Sequence, residues 1–252
     1  MAKYSLHGGH NNIVQGANWG NRKEHIMDRQ VKDAVAVKLR ALGHTVYDDT
    51  DEVGKTQEQN LVNIVRNCNS HNVDLVVSFH LNAYNNKADG VEVCYWDQKG
   101  LAAKVSAQLA KDIGWKDRGP KERKELYVLA NTKAPAILIE LGFIDNDEDM
   151  AKWNVDKIAN SIVYSLTGQR VGGSGNVATP TSPTKQNIIQ SGAFSPYETP
   201  DVMGALTSLK MTANFILKPN GETYFISDPT SDAQLKAMLE YLDRKGWWRD
   251  VK

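Results

Sequence analysis

Apolar and polar positions alternate in blocks along the first two thirds of the chain. Tyr4 to Leu6 is a short apolar stretch before a Gly-rich turn and predicts a strand. From Arg22 to Leu42, Met27, Val31, Val35, Leu39 and Leu42 recur at three- and four-residue steps. That is the period of a helix with one buried face, and Gly43 ends it. Thr45 to Tyr47 begins a second strand. Thr56 to Asn69 predicts a helix with Leu61, Ile64, Val65 and Cys68 inward. Val73 to Leu81, VDLVVSFHL, is a near-continuous apolar run, the pattern of a strand covered on both faces. Residues 90–96 predict a further strand and Leu101 to Ile113 a helix. Pro135 to Phe143, PAILIELGF, is a second apolar strand. Asp147 to Leu166 closes the series as one helix bearing Met150, Trp153, Ile158, Ile162 and Leu166. Such alternation predicts an α/β fold, a mostly parallel sheet flanked by helices.

The pattern breaks at residues 171–186, VGGSGNVATPTSPTKQ, which hold three glycines, two prolines and little to bury. This composition predicts a flexible linker. It separates a domain at 1–170 from a smaller one at 187–252. In the latter, Gly204 to Leu209 predicts a short helix, and two apolar stretches around Pro219-Asn220-Gly221 predict a hairpin. A last helix follows, with Ser231 as N-cap and Leu235, Met238, Leu239 and Leu242 inside. The expected module is a small α+β domain.

Composition narrows the function classes. The 252 residues carry 30 Lys+Arg against 30 Asp+Glu, and the charge is spread evenly on both sides of the linker. That balance argues against nucleic acid or an anionic membrane as partner. Cys68 and Cys94 are too few for a disulfide framework or a cysteine-built zinc site. No apolar run approaches the roughly 20 residues that span a bilayer, so membrane insertion is not expected. The N-terminal MAKYSLHGGH has no apolar signal core, so Sec export is not expected either.

Three polar residues stand where an α/β sheet places its ligands, just outside the carboxyl ends of the strands. His10 lies in the turn after the first strand. Glu24 opens the first long helix on its apolar stripe, three residues before Met27. His80 lies near the end of VDLVVSFHL. A carboxylate on a buried stripe needs a partner, and a metal is one. Two imidazoles and a carboxylate with a free fourth position make a catalytic zinc site. His7, His25, His44 and His71 offer the same chemistry, and spacing alone does not separate them. Glu140 sits inside the apolar run AILIE, where an acidic residue points to chemistry. One carboxylate outside the metal shell takes the proton from water in a zinc hydrolase. Asp145 to Asp149 follow closely and most simply cap and seed the next helix.

His10 in its GGH turn, Glu24 opening a helix, SFHLNA at 78–83 and IELGFIDN at 139–146 together resemble the zinc-dependent N-acetylmuramoyl-L-alanine amidases of the Amidase_3 type. The resemblance covers residues 1–168. It implies that His10, Glu24 and His80 bind zinc (Zn2+) and that Glu140 is the catalytic base. The family usually writes Asp-x-Gly-His-Gly-Gly after the first strand. This chain has Leu6-His7-Gly8-Gly9-His10-Asn11-Asn12, and the Gly-His of phage-type members falls on His10. The C-terminal segment, SGAFSPYETPDVMGALTSL and onwards, resembles the cell-wall-binding module of Bacillus phage amidases. Together these imply the plan of a phage endolysin. It would be made in the host cytoplasm, be released by a holin and cleave the N-acetylmuramic acid–L-alanine amide of peptidoglycan. Its C-terminal domain would bind a host wall polymer. The competing readings are a zinc peptidase of the stem peptide and a non-catalytic wall-binding protein. Trp19, Trp247 and Trp248 could stack on glycans or simply pack.

Overall fold

The computed structural model describes residues 1–170, 187–209, 211–218 and 220–251. The chain divides into two compact units, Met1–Gly175 and Asn176–Lys252. The linker expected at 171–186 lies outside the described residues.

The first unit runs β1 (Lys3–Gly8), β2 (Asn18–Trp19), β3 (Arg22–Lys23), α1 (Glu24–Ala41), β4 (Thr45–Asp48), α2 (Gln57–Asn69), β5 (Leu75–Asn82), β6 (Val91–Tyr95), α3 (Lys99–Ile113), β7 (Asp117–Glu122), α4 (Tyr127–Asn131), β8 (Ala136–Phe143), α5 (Asp147–Ala151) and α6 (Val155–Thr167). Six strands form one sheet in the order β4-β1-β5-β8-β6-β7. All neighbours are parallel except β6 and β8, so the expected mostly parallel sheet is found.

Side-chain parity divides the sheet's faces. Val77, Phe79 and Leu81 of β5 and Ile137, Ile139 and Leu141 of β8 join the larger core, with Val31, Val35 and Leu39 of α1, Leu109 of α3 and Ile158 and Ile162 of α6. Val76 and Leu138 face the other way. They meet Ile64, Val65 and Cys68 of α2 and Val128 and Leu129 of α4. The second layer is thinner, made of a 13-residue and a 5-residue helix.

Four local features depart from the sequence pattern. The helix expected over 147–166 is two helices: Asn154 caps the second, its side chain accepting from Lys157 N at 2.9 Å. An asparagine that bonds the backbone locally restarts a helix in a new direction. The first long helix begins at Glu24 rather than Arg22, because Arg22 and Lys23 pair with Trp19 and Asn18 in a ribbon. Strand β7, with Gly119 and Pro120, shows no apolar alternation; it lies at the sheet edge, where proline is tolerated. Helix α4 is too short to show a period. The acidic run behaves as expected: Asn146 caps α5, accepting from Glu148 N and Asp149 N.

The second unit holds β9 (Ile189–Ser191), a 3-10 turn (Pro196–Glu198), α7 (Thr199–Ser208), β10 (Ala213–Leu217), β11 (Thr223–Ser227), α8 (Asp232–Lys245) and β12 (Arg249–Val251). The expected hairpin is β10–β11, within a sheet ordered β10-β11-β9-β12. Of its turn, Pro219 lies outside the described residues. Ser231 and Gln234 form a capping box at the start of α8. Ile189, Phe194, Val202, Leu206, Phe225, Met238 and Leu242 make a separate core. Trp247 stacks on Phe194 and is packing, whereas Trp248 is 63% exposed. Among the described residues no helix is long and apolar enough to cross a membrane.

Candidate active site

His80 and Glu140 share the strand parity of Val76 and Leu138, so both turn toward the α2/α4 face. They stand where that layer ends, and a cavity of about 340 Å³ opens there. Its walls include His7, Gly9, His10, Leu61, Leu126 and Val128, besides His80 and Glu140.

Glu24 is the first residue of α1 and only 3% exposed. Its Oε1 lies 3.0 Å from His80 Nδ1 and accepts from Leu81 N at 3.1 Å. Its Oε2 accepts from Ala17 N at 2.7 Å and lies 3.6 Å from His10 Nε2. One carboxylate thus joins the sheet, through His80, to the turn after β1, through His10. One ligand atom from each of His10, Glu24 and His80 falls within 4.8 Å of the others, and this is the one such cluster among the described residues.

Two glycines make the convergence possible. A Cβ on Gly9 would lie 1.9 Å from His80 Cε1. A Cβ on Gly16 would lie 2.4 Å from both Glu24 Oε2 and His10 Cδ2, and Gly16 has φ +72°. His10 itself adopts φ 57°, a left-handed conformation that a residue with a Cβ rarely takes.

The electrostatics follow from burial. Burial opposes a charged His80, but the Glu24 hydrogen bond and charge, with Glu140 and Asp28, outweigh it and lift the imidazole to about 9. Burial pushes Glu24 up, yet the His80 bond, the charges of His80 and His10 and the Ala17 N–H hold it below its ordinary range. Burial, then the neighbouring His80 charge, lowers His10. Glu140 is pushed up to about 7 by burial; His80 opposes this, while Glu24 and Glu92 add to it. Its Oε2 is buried without a hydrogen-bond partner.

The set fits a divalent ion: two imidazoles and a carboxylate converge around glycines that keep their centre clear. The other histidines stand elsewhere. His7 is buried in the cavity wall, its Nδ1 3.5 Å from Ser78 Oγ, and burial pushes it down to about 3. His25 lies on α1, outside the cluster. His44 Nδ1 accepts from Ala2 N at 3.0 Å. His71 stacks on Tyr47 and pairs with Asp49 at 3.3 Å. Asp145 accepts from Tyr84 N and Asn86 N and borders a different cleft, beside Trp19. The sequence pattern did not reveal Gly16 or the apolar wall of Leu61, Leu126 and Val128. The Gly/Asn-rich stretch before α1 was the available signal for the first.

Residues 6–168 match the Amidase_3 family, N-acetylmuramoyl-L-alanine amidase, and residues 208–250 match the PlyG cell wall binding domain. Uncharacterized protein CPE1502 of Clostridium perfringens (strain 13 / Type A) is 33% identical over 156 residues, covering 59% of this chain and 45% of that one. The endolysin of Bacillus phage SPP1 is 30% identical over 138 residues, covering 51% of this chain and 46% of that one. This chain therefore spans less than half the length of either relative. The catalytic domain of CD27L endolysin targeting Clostridia Difficile superposes with a TM-score of 0.62 at 29% identity, over 68% of this chain and 100% of that one. With the family's match running from β1 to the end of α6, around the convergent His10, Glu24 and His80, the chain belongs to the N-acetylmuramoyl-L-alanine amidase family.

Proposed function

We propose that the chain is an endolysin that hydrolyses the amide between N-acetylmuramic acid and L-alanine of peptidoglycan. Residues 1–170 form the catalytic domain, 171–186 the linker and 187–252 the domain that binds a host wall polymer. Release to the wall is by a holin-type pore. The observation that carries this reading is the meeting of His10, Glu24 and His80 in one cluster, with the Glu140 side chain lining the cavity that His10 and His80 also line.

His10, Glu24 and His80 would hold zinc. When bound, zinc supplies Lewis acidity, polarising an amide carbonyl and easing deprotonation of water near neutral pH. The backbone N–H groups of Ala17 and Leu81 keep the Glu24 carboxylate aimed between the two rings. Glu140 takes a proton from the attacking water on its carboxylate. As the water oxygen bonds to the carbonyl carbon and the carbon–nitrogen bond breaks, Glu140 returns that proton to the departing amine of L-alanine. A carboxyl whose hold on a proton is strengthened by burial suits both halves of this shuttle. The apolar wall of Leu61, Leu126 and Val128 keeps bulk water from one side of the reacting atoms.

Digestion of purified peptidoglycan tests the reading. New N-terminal alanine without new reducing sugar ends is expected, with loss of activity in a strong chelator and recovery on adding zinc. New N-termini at other stem-peptide positions would assign a peptidase instead, and no cleavage would leave a wall-binding protein.

A further inference from the structure

We infer that Arg29 is a positioning residue of the metal site: its guanidinium latches the Gly9–His10 turn to helix α1 and thereby fixes His10 against Glu24. The inference rests on the reading of His10, Glu24 and His80 as metal ligands.

Arg29 stands five positions after Glu24 on the same helix, with a side chain only 16% exposed. Its Nη2 donates to His10 O at 2.9 Å and its Nη1 to Gly9 O at 3.0 Å. The same Nη1 donates to His25 O at 2.8 Å and lies 3.1 Å from Asp28 Oδ1. Nε donates to Glu52 Oε1 at 2.8 Å on the solvent side. Asn60 Nδ2 adds a longer bond to His10 O, at 3.3 Å.

The two turn carbonyls belong to the peptides on either side of His10, so the φ and ψ of His10 alone set their relative direction. In an extended chain successive carbonyls point opposite ways. Both can reach one guanidinium only if the backbone bends between them, as it does at the φ of 57°. The fork therefore holds the ligand's own backbone bent, here in a left-handed conformation that an L-residue does not favour by itself. The turn also lies tight on the latch: a Cβ on Gly8 would stand 3.0 Å from Arg29 Nη1. With the turn so held, His10 Nε2 comes 3.6 Å from Glu24 Oε2, a residue of the same helix. A lysine offers a single point charge on a flexible stem and cannot hold two divergent carbonyls in fixed geometry. The ion pair with Glu52, more than half exposed, contributes little by itself.

The test measures the zinc dissociation constant of the full metal-free chain by competition with a chelating indicator. The wild type, Arg29→Ala, Arg29→Lys and Glu52→Gln are compared, with the thermal unfolding of each apo form recorded alongside. Both Arg29 variants should bind zinc about 10- to 100-fold more weakly, the range for groups that orient metal ligands. Glu52→Gln should bind as the wild type does. Free guanidinium at sub-denaturing concentration should restore affinity to Arg29→Ala, a rescue that a merely structural role does not provide. If Arg29→Ala fails to fold, Arg29→Lys, which keeps charge and stem, decides the matter. Wild-type affinity in a folded Arg29 variant overturns the inference. A wild-type chain that takes up no zinc overturns the metal-site reading, and the latch with it.

Discussion

Glu140 and His80 are register partners on adjacent parallel strands, β8 and β5, and their side chains turn to the same face of the sheet. An imidazole lifted to about 9 thus stands beside a carboxyl pushed to about 7. Parity puts both side chains on one face, since each residue is two positions beyond Ser78 or Leu138, and the β5–β8 register sets them side by side.

Glu140→Gln should keep zinc and fold while losing about 10²- to 10⁴-fold in turnover, the range for a lost general base. The variant also carries a stability signature in the metal-free protein. The folded carboxyl sits at about 7 against its ordinary 4.5, so the unfolded chain ionises first as pH rises. Wild-type stability should therefore fall as pH rises between those two values, and the Gln variant should show a shallower slope, the rest coming from Asp28, which burial also raises to about 7. Turnover near wild type would move the base elsewhere.

Gly16→Ala should strip the site of its metal. The substitution forces a Cβ toward Glu24 and His10 at a positive φ. Zinc content by elemental analysis, with circular dichroism to verify the fold, checks this. Full zinc occupancy in the folded variant would show that the turn relaxes around the new methyl group.

His10→Ala should lose zinc and His7→Ala should keep it. Only the first of the two belongs to the ligand cluster; His7 is a neutral ring in the cavity wall. The reverse result would exchange the two roles within the Gly-rich turn.

Neither cysteine should react with a thiol-specific disulfide reagent at mildly alkaline pH until the protein unfolds. Burial pushes both Cys68 and Cys94 up to about 12, and the thiolate is the reactive form. Rapid labelling of the native chain at either position would contradict the packing of the α2/α4 layer.

Expressed separately, residues 1–170 should hold zinc and cleave isolated peptidoglycan, and residues 187–252 should bind walls and cleave nothing. Each has its own core, and the ligand cluster lies wholly in the first. Because tethering raises the local concentration of enzyme at the wall, the catalytic fragment should lose most on intact cells and least on soluble substrate. Equal loss on both substrates would mean that the smaller unit acts on catalysis itself.

Local periodicity determined much of this protein in advance. The three- and four-residue steps from Met27 to Leu39 and the apolar runs around His80 and Glu140 each report which face an element buries. So the helices, the main strands and the exceptional polar positions Glu24, His80 and Glu140 were legible. Periodicity carries no information about where elements cross. Only the tertiary structure decided that β6 runs antiparallel beside β8, that Asn154 breaks the last helix, and that α1 starts two residues late behind a ribbon. It alone brought His10, Glu24 and His80 together, because strand order places β1 next to β5 and the turn after β1 bends back over Gly9 and Gly16. Four other histidines, His7, His25, His44 and His71, resemble His10 in the sequence, and burial and partners distinguish them only once the sheet has formed.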